Sequence, residues 1–421
     1  MRFGMLAAGM AVVLAATACS GGDAQDGKVT LRLGFYAAAG DAADKTMREL
    51  VKEFTAANPG ITIELEVAPY VQFFQKLRTQ IAGGKAPDVW LSDGVLVQEF
   101  AARNALADLT DRVKGVNAAD YFGLELNRDA KGRVFAFPQG AQTPVLFYNK
   151  KLFAEAKVKE PTGDWTYDDL AAAAKKLTKD ANGDGKPEVY GLRAYSPGFT
   201  ESWWPMIKAF GGDIVTDGNR KVVIDSPQSA AALQWMRTAM AKDGFAPDVV
   251  TTQSMGSVHQ MFATGRVAMS YGIYARTLSA KTAGVDFGVA PMPKGPGGQR
   301  GNVAVVNSWV VSKASKQADA AWKWITFFAG EGPQRKWAAL GEAIPVNKKV
   351  AEEAGIPKPY LDGLAAATDL GVNGAWTEYT EALGKRLNEA LSGTGPIEPS
   401  LSAAQSEAQQ VIDRFVASQP K

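Results

Sequence analysis

The chain is poor in the two residue types that build most disulfide frameworks and metal centres. Its 421 residues include one cysteine, Cys19, and one histidine, His259. A disulfide framework, a cysteine-rich zinc site and a multi-histidine metal site are therefore excluded. A Ser-His-Asp arrangement would depend on His259, which has no partnering motif near it, so we interpret it as a helix-surface or packing residue.

The chain also lacks an excess of either charge and an apolar run of membrane-spanning length. Its 46 basic and 44 acidic residues give a net charge of +2. This balance argues against a dedicated nucleic-acid-binding protein, which carries a basic surface. The apolar residues 5–18 fall short of the about 20 that a membrane-spanning helix needs. With 46% hydrophobic and 21% charged residues, the composition is typical of a soluble globular protein of about two or three domains.

The N-terminus has the features of an export signal. Arg2 supplies a positive start before the apolar stretch, a pattern typical of a secretory signal peptide. Cys19 follows in the sequence ATACS, which resembles the bacterial lipoprotein box, where the cysteine becomes the lipidated first residue of the mature chain. That box usually has a large aliphatic residue at the position of Ala16. A conventional cleavage site that lies beside a cysteine by chance is the alternative.

These features predict how the protein is located. Residues 1–18 are expected to be a signal peptide. Residues 19–28 are short, polar and glycine-rich after the cysteine, which is typical of a flexible tether. The remaining body is expected to be exported and anchored by lipid on the outer face of the cytoplasmic membrane.

Hydrophobic periodicity alternates between strand and helix along the body. Residues 29–35 and 61–67 alternate apolar and polar side chains, whereas residues 47–54 and 73–81 have apolar side chains at helical spacing. Residues 89–91 then form a short apolar run. A strand, helix, strand, helix, strand order is typical of an α/β layer with a mostly parallel sheet.

Seven segments, in order along nearly the whole body, resemble one family. They resemble the extracellular solute-binding proteins of ABC sugar importers, specifically the maltose/maltodextrin-binding type. The segments are AANPGITIELE (56–66), GGKAPDVWLSD (83–93), FPQGAQTPVLFYNKKLF (137–153), GDWTYDDLAAAAKKLTKD (163–180), WWPMIKAFGG (203–212), FATGRVAMSYGIY (262–274) and GVAPMPKGPGG (288–298).

The resemblance implies a type II periplasmic-binding-protein-like fold. Two α/β lobes, each a mostly parallel sheet flanked by helices, would be joined by hinge crossings. The first lobe would comprise 29–138 plus 288–342, and the second 144–286 plus 345–421. A monomer without cofactor would capture a mono- or oligosaccharide between the lobes and deliver it to the permease subunits of an ABC transporter, with no enzymatic activity.

Sugars need aromatic rings for their C–H faces and carboxylate, amide or guanidinium partners for their hydroxyls. Through the resemblance, Gln142 stands where the maltodextrin-binding type has an acidic sugar contact. Tyr274 aligns with a stacking tryptophan of the family and is the strongest single aromatic candidate. The predicted ligand-binding residues are Tyr36, Ser92, Asp93, Gln139, Gln142, Trp203, Trp204, Tyr274, Arg276, Asn307, Trp309, Trp376 and Tyr379.

Structural roles compete for several of these residues. Asp93 serves equally well as a helix cap. Trp203 and Trp204 are adjacent and cannot share one helix face, so one is expected in the core and one in the cleft. Trp376 and Tyr379 lie one helical turn apart, a spacing that more commonly marks a core stripe.

One loop resembles a calcium site. Asp180, Asn182 and Asp184 occupy positions 1, 3 and 5 of such a loop, Gly185 occupies position 6, and Glu188 follows. Position 12 is glycine rather than the glutamate that supplies two oxygens in a calcium loop. We therefore favour a polar turn over a metal site.

Two other functions remain open from the residues alone. A surface glycoside hydrolase would use two carboxylates separated by about 5–10 Å, and the chain has ample aspartate and glutamate. A solute-binding protein could instead take a peptide, a polyamine or a phosphorylated polyol. No cluster of arginine and lysine lies at the predicted loops, which favours a neutral solute.

Overall fold

The computed structural model describes residues 28–129, 131–195, 200–255, 258–368 and 370–418. The predicted signal peptide, Cys19 and all but the last residue of the predicted tether lie outside these ranges. Within them, no helix is both long and apolar enough to cross a membrane.

The described chain alternates strands and helices over most of its length. The strands are β1 (Val29–Tyr36), β2 (Ile61–Ala68), β3 (Val89–Ser92), β4 (Ala136–Gln142), β5 (Val145–Asn149), β6 (Tyr190–Arg193), β7 (Val215–Thr216), β8 (Lys221–Val222), β9 (Val267–Gly272), β10 (Phe287–Ala290), β11 (Val305–Val311) and β12 (Ile344–Pro345). The helices are α1 (Ala42–Ala57), α2 (Tyr70–Ala82), α3 (Val97–Ala102), α4 (Thr110–Val113), α5 (Lys150–Glu155), α6 (Tyr167–Leu177), α7 (Thr200–Ala209), α8 (Pro227–Arg237), α9 (Val249–Ser254), α10 (Val258–Ala263), α11 (Arg276–Thr282), α12 (Ala318–Ala329), α13 (Glu331–Ala338), α14 (Lys348–Glu353), α15 (Lys358–Ala365), α16 (Trp376–Ser392) and α17 (Glu398–Ala417).

Two sheets define two lobes. Lobe one is built on a six-stranded sheet of order β12-β4-β11-β3-β1-β2, and lobe two on a four-stranded sheet of order β10-β5-β9-β6. The predicted two-lobed α/β fold is confirmed. The sheets are mixed rather than mostly parallel: β1 is parallel to β2 and β3, and β6 to β9. The strands next to the lobe crossings, β4, β5, β10, β11 and β12, pair antiparallel because the chain returns through them between lobes.

Three crossings connect the lobes. The chain passes from β4 to β5 through residues 143–144, from β10 back to β11 through residues 291–304, and again after β12. Since β10 pairs in the sheet of lobe two and β12 in that of lobe one, the last two crossings come a few residues later than the sequence predicts. The Thr143 hydroxyl donates to the Val303 carbonyl at 2.8 Å, and the Thr368 amide donates to the Asn302 carbonyl at 3.0 Å. These bonds hold the crossings side by side.

Local sequence signals fix where helices begin. In α6, the Thr166 hydroxyl accepts from the Asp169 amide at 3.2 Å, and the Asp169 carboxylate accepts from the Thr166 amide at 2.9 Å. This capping box satisfies amides that the first helical turn leaves without intrahelical partners. In α8, Ser226 caps the helix and Pro227 occupies its first turn, where a missing amide hydrogen costs nothing.

Candidate functional site

A large cleft opens between the lobes, with a volume of about 1380 Å³. Lobe one contributes the end of β1, the start of α2 and the loop after β3. Lobe two contributes α7, the segment after β9 and the first three turns of α16, and the crossings form the floor. Its lining includes Tyr36, Tyr70, Phe74, Arg78, Asp93, Asn307 and Glu342 from lobe one, Glu201, Trp203, Ile273, Ala275, Arg276, Trp376, Glu381, Lys385 and Asn388 from lobe two, and Gln142, Pro144, Val303, Ala304 and Val305 from the crossings and the strand ends beside them.

Both walls of the cleft carry aromatic rings. On lobe one, Tyr36 packs edge-on against Tyr70 with ring centroids 5.3 Å apart, and Tyr70 packs against Phe74 at 4.9 Å. Tyr70 is 46% exposed, so part of its ring faces the open space. On lobe two, Trp203 and Trp376 line the opposite wall. A ligand in the cleft therefore meets aromatic surface on two sides.

Asp93 caps a short helical turn and also lines the cleft. Its carboxylate accepts from the Val95 amide at 3.1 Å and so caps the short helical turn 94–96. The other carboxylate oxygen accepts from the Tyr70 hydroxyl at 3.0 Å, and the residue lines the cleft. Burial raises the pKa of Asp93, partly offset by these two hydrogen bonds. The capping bond fixes the carboxylate in place at the cleft wall.

Gln142 ties the two lobes together at the floor of the cleft. Its amide nitrogen donates to the Glu342 carbonyl at 2.6 Å, and its amide oxygen accepts from the Ala275 amide at 3.4 Å. Both ends of the Gln142 side-chain amide thus form hydrogen bonds within the protein. An ionised acidic side chain at this position could not donate the bond to Glu342. Glu342, held by this bond, places its side chain in the cleft.

Lobe two presents an acid and a base close together. Arg276 Nη2 lies 3.9 Å from Glu201 Oε1, which is within ion-pair reach but beyond a hydrogen bond. Burial raises the pKa of Glu201, and the charge of Arg276 partly offsets this rise. Burial lowers the pKa of Arg276, and the charge of Glu201 partly offsets this fall. The pair therefore offers an acceptor and a donor at one point of the wall.

Comparison with known proteins identifies the family. Residues 38–335 match the family model of the bacterial extracellular solute-binding proteins. The chain belongs to this family. It is a family of solute-binding proteins and not of enzymes, so the glycoside hydrolase alternative is set aside.

Relatives of this solute-binding protein extend over its whole length. A binding protein of Brucella abortus is 27% identical over 97% of this chain and 98% of that relative. The maltodextrin-binding protein of Bacillus subtilis is 24% identical over 85% of this chain and 84% of that relative. Among solved structures, the ABC substrate-binding protein Lmo0181 of Listeria monocytogenes, in complex with cycloalternan, superimposes with a TM-score of 0.79 at 24% identity. That match covers 92% of this chain and 99% of that one and shows the type II periplasmic-binding-protein fold.

The structure brings about half of the predicted residues of this solute-binding protein to one place. The predicted residues that line the cleft are Tyr36, Asp93, Gln142, Trp203, Arg276, Asn307 and Trp376. Asn307 also accepts from the Gly94 amide at 3.2 Å and so helps to hold the loop that carries Asp93.

Three predicted aromatic residues lie in the lobe cores instead. Trp204 is fully buried in lobe two beside Trp376, with ring centroids 5.5 Å apart. Trp309 is fully buried in lobe one against Trp324 at 5.6 Å. Tyr379 is fully buried and donates its hydroxyl to the Gly371 carbonyl at 2.6 Å. None of the three is part of the cleft lining because each fills the core beneath it.

Three more candidates also lie away from the cleft lining. Ser92 is buried on β3 and donates to the Asp93 carbonyl at 3.1 Å. Gln139 is buried on β4, where its backbone carbonyl accepts a hydrogen bond from the Gln334 side-chain amide at 3.1 Å. Tyr274 is 8% exposed and packs edge-on against Tyr360 at 5.3 Å, in the apolar cluster at the crossings.

Four of the lining residues that the sequence interpretation missed are the aromatic residues Tyr70 and Phe74 and the acids Glu201 and Glu342. Tyr70 and Phe74 follow β2 directly, and the proximity of that strand to β1 is the signal that could have found them. Glu201 lies just before the two adjacent tryptophans, and Glu342 lies just before β12. Neither acid belongs to a local sequence motif. Each lies in the cleft because the crossings bring segments that are distant in sequence together.

The calcium-like loop is a self-contained polar turn. The Asp180 carboxylate accepts from the Gly183 and Gly185 amides at 2.8 and 2.9 Å, and Glu188 accepts from the Ala181 amide at 2.9 Å. The oxygens of Asn182 and Asp184 accept from the amides two residues further on, both within 2.9 Å. No group of three metal-capable side chains occurs within the described ranges.

Removal of divalent cations is therefore expected to have no effect on stability. Because the oxygens of this loop already accept backbone hydrogen bonds, EDTA should leave the melting temperature unchanged within about 1 °C, whereas loss of a stabilising metal would lower it. Differential scanning calorimetry with EDTA and with added calcium checks this. A calcium-dependent rise abolished by Asp180→Asn would contradict it.

Proposed function

We propose that this protein is an exported, lipid-anchored receptor that captures a carbohydrate, specifically an oligosaccharide, between its lobes. Cys19 would carry the anchor on the outer face of the cytoplasmic membrane. Closure about the three crossings would be driven by the contacts that the ligand makes with both walls at once. The closed, loaded receptor would deliver the sugar to the permease subunits of an ABC transporter.

The observation that carries this proposal is the pairing of aromatic and polar surface on both walls. Tyr70 on lobe one and Trp376 on lobe two supply faces for sugar C–H groups. Asp93, Glu201 and Arg276 supply acceptors and donors for hydroxyls. Apolar faces together with short polar groups are the two demands of a sugar ligand.

The size of the cleft favours several sugar units over one. Its volume of about 1380 Å³ exceeds the 300–1,000 Å³ typical of sites for a single drug-sized molecule. The Bacillus subtilis relative is a maltodextrin-binding protein, and the Listeria structure holds cycloalternan. These relatives support an oligosaccharide for this chain without fixing its linkage.

Thermal melts against a ligand panel test the proposal. The panel contains mono- and oligosaccharides, with amino acids, polyamines and glycerol phosphates as controls. A ligand that binds the folded state alone at 100 times its Kd should add about 2.7 kcal/mol to the free energy of unfolding. A shift with one sugar series and no product after overnight incubation supports the proposal. A shift with a charged control and with no sugar contradicts the carbohydrate assignment.

Tyr70→Ala is expected to weaken binding of that sugar by at least about tenfold, because it removes the exposed aromatic face of lobe one. Tyr70→Phe keeps the ring and loses the hydrogen bond to Asp93, so it should weaken binding less. Titration calorimetry on both variants measures the difference. Equal affinity of Tyr70→Ala and the parent would remove this ring from the site. The melting temperature of the free protein should change little, since the ring is 46% exposed.

A further inference from the structure

The lobe-one wall of the cleft carries two carboxylates that no basic side chain neutralises. Asp93 and Glu342 both line the cleft. In the described part of the chain, neither carboxylate forms an ion pair with lysine or arginine within 4 Å, and the donors to Asp93 are the Val95 amide and the Tyr70 hydroxyl. Burial raises the pKa of Asp93 and of Glu342, and for Glu342 the charge of Asp41 adds to the effect. The charged form of both acids is thus costly in the free protein, and a cation brought by a ligand would stabilise it.

A third acceptor lies beside the two carboxylates. The Tyr36 hydroxyl oxygen is buried and has no hydrogen-bond partner in the structure. The Tyr36 ring packs against Tyr70, whose hydroxyl donates to Asp93 at 3.0 Å. Burial first, and then the nearby Asp93, Tyr70 and Glu342, raise the pKa of the Tyr36 phenol. A buried hydroxyl without a hydrogen-bond partner destabilises the protein unless a ligand supplies the missing hydrogen bond. Tyr36 therefore marks the place where a ligand group belongs.

The two arginines of the cleft lie close to other acids. Arg78 Nε is 3.5 Å from Glu99, and Arg276 is 3.9 Å from Glu201 on the opposite lobe. Lys385 lines the cleft from α16, also on lobe two. Asp93 and Glu342 are thus available to pair with a positive charge on the ligand.

We infer that this end of the cleft binds the protonated amine of a basic sugar. The inference rests on the proposed function and names its ligand class more narrowly. An ammonium group has three N–H donors, which match Asp93, Glu342 and the Tyr36 hydroxyl. Its charge also suits the faces of the Tyr36 and Tyr70 rings. A neutral hydroxyl would donate a single hydrogen and leave two carboxylates desolvated on closure without a compensating charge.

Matched ligands test this directly. The β-1,4-linked disaccharide of glucosamine, its N,N′-diacetyl form and cellobiose share one backbone and differ only in bearing an ammonium, an acetamide or a hydroxyl group. Glucosamine, N-acetylglucosamine and glucose form a second matched set. Titration calorimetry is expected to show the ammonium member of at least one set bound at least about tenfold more tightly than its neutral partners, as for other charge-assisted hydrogen bonds.

Equal or tighter binding of a neutral member would overturn the inference while leaving the carbohydrate receptor intact. Absence of binding by every member of both sets would overturn it as well. The neutral oligosaccharide panel decides the proposed function separately, so the two failures are distinguishable.

Protein variants locate the effect. Glu342→Gln should weaken the ammonium ligand by at least about tenfold and change the neutral ligands by less than about threefold, because it removes a charge but keeps the shape. Glu352→Gln makes the same change at an exposed position on α14 and should leave all affinities unchanged. An equal loss for charged and neutral ligands in Glu342→Gln, with an unchanged melting temperature, would show that Glu342 serves shape and not charge, and would overturn the assignment.

Discussion

Replacing Trp376 with alanine is expected to weaken binding of the captured sugar at least about a hundredfold, close to 3 kcal/mol. Trp376 is the first residue of α16 and lines the lobe-two wall. It is only 7% exposed because Trp204 and Tyr379 support its ring at 5.5 and 5.6 Å. A ring held so firmly loses little conformational freedom when a sugar stacks on it. Titration calorimetry with the sugar found in the panel measures the loss.

Some loss of stability accompanies this substitution, so a matched control is needed. Trp235 lies in lobe two on α8, packs against Tyr167 and Phe245 at 5.4 and 5.9 Å, and does not line the cleft. Trp235→Ala should lower the melting temperature and keep the affinity within about threefold of the parent. If both variants lose affinity equally, the effect of Trp376→Ala reports on the stability of lobe two rather than on stacking.

Tyr274→Ala is expected to destabilise the protein by about 3–5 kcal/mol, the usual cost of removing a large buried aromatic side chain. Its ring packs against Tyr360 in the cluster that joins the crossings. Deleting it opens a cavity in that cluster. Chemical denaturation measures the free energy of unfolding.

The affinity for the sugar should stay within about threefold of the parent under conditions where Tyr274→Ala remains folded, since the ring is not part of the cleft wall. Tyr274→Phe keeps the ring and should have nearly the stability of the parent. A tenfold loss of affinity with an unchanged free energy of unfolding would instead restore Tyr274 to the ligand site.

The position of Tyr274 outside the cleft lining has a local geometric cause. Ile273 and Ala275 line the cleft, whereas Tyr274 lies between them in the turn that leads into α11. In that turn the Arg276 amide donates to the Ile273 carbonyl and the Thr277 amide to the Tyr274 carbonyl, both at 2.9 Å, and the Tyr274 ring packs inward against Tyr360. The sequence points to this segment, but which of its side chains faces the cleft depends on the turn geometry and could not be derived without the structure. A single position along this turn separates a side chain that faces the cleft from one that packs in the core.

The two adjacent tryptophans were more predictable. Neighbours on a helix cannot share one face. Both rings are buried in the core of lobe two, but Trp203, 2% exposed, also reaches the cleft lining, whereas Trp204 does not. The order of strands and helices in lobe one was also predictable, because alternation and helical periodicity are local. Glu201 and Glu342 were not, since their proximity to the ligand depends on how the crossings return the chain.

The mixed sheets mark another limit. Periodicity identifies strands without giving their direction, and the βαβ order of the first three strands does give parallel pairing of β1 with β2 and β3. The antiparallel members β11 and β12 enter lobe one only after the excursion through lobe two. Their direction is set by the crossings and not by any local pattern.

The most direct test of sugar capture between the lobes is a crystal structure of the complex. The crystals are grown with the sugar that most raises the melting temperature of the protein. We expect a sugar chain of two or more units between the lobes, with one ring against Tyr70 and another against Trp376. We also expect hydrogen bonds from the sugar to Asp93 and to the Glu201 and Arg276 pair. Sugar bound on the outer surface of one lobe, with the cleft unoccupied, would contradict it.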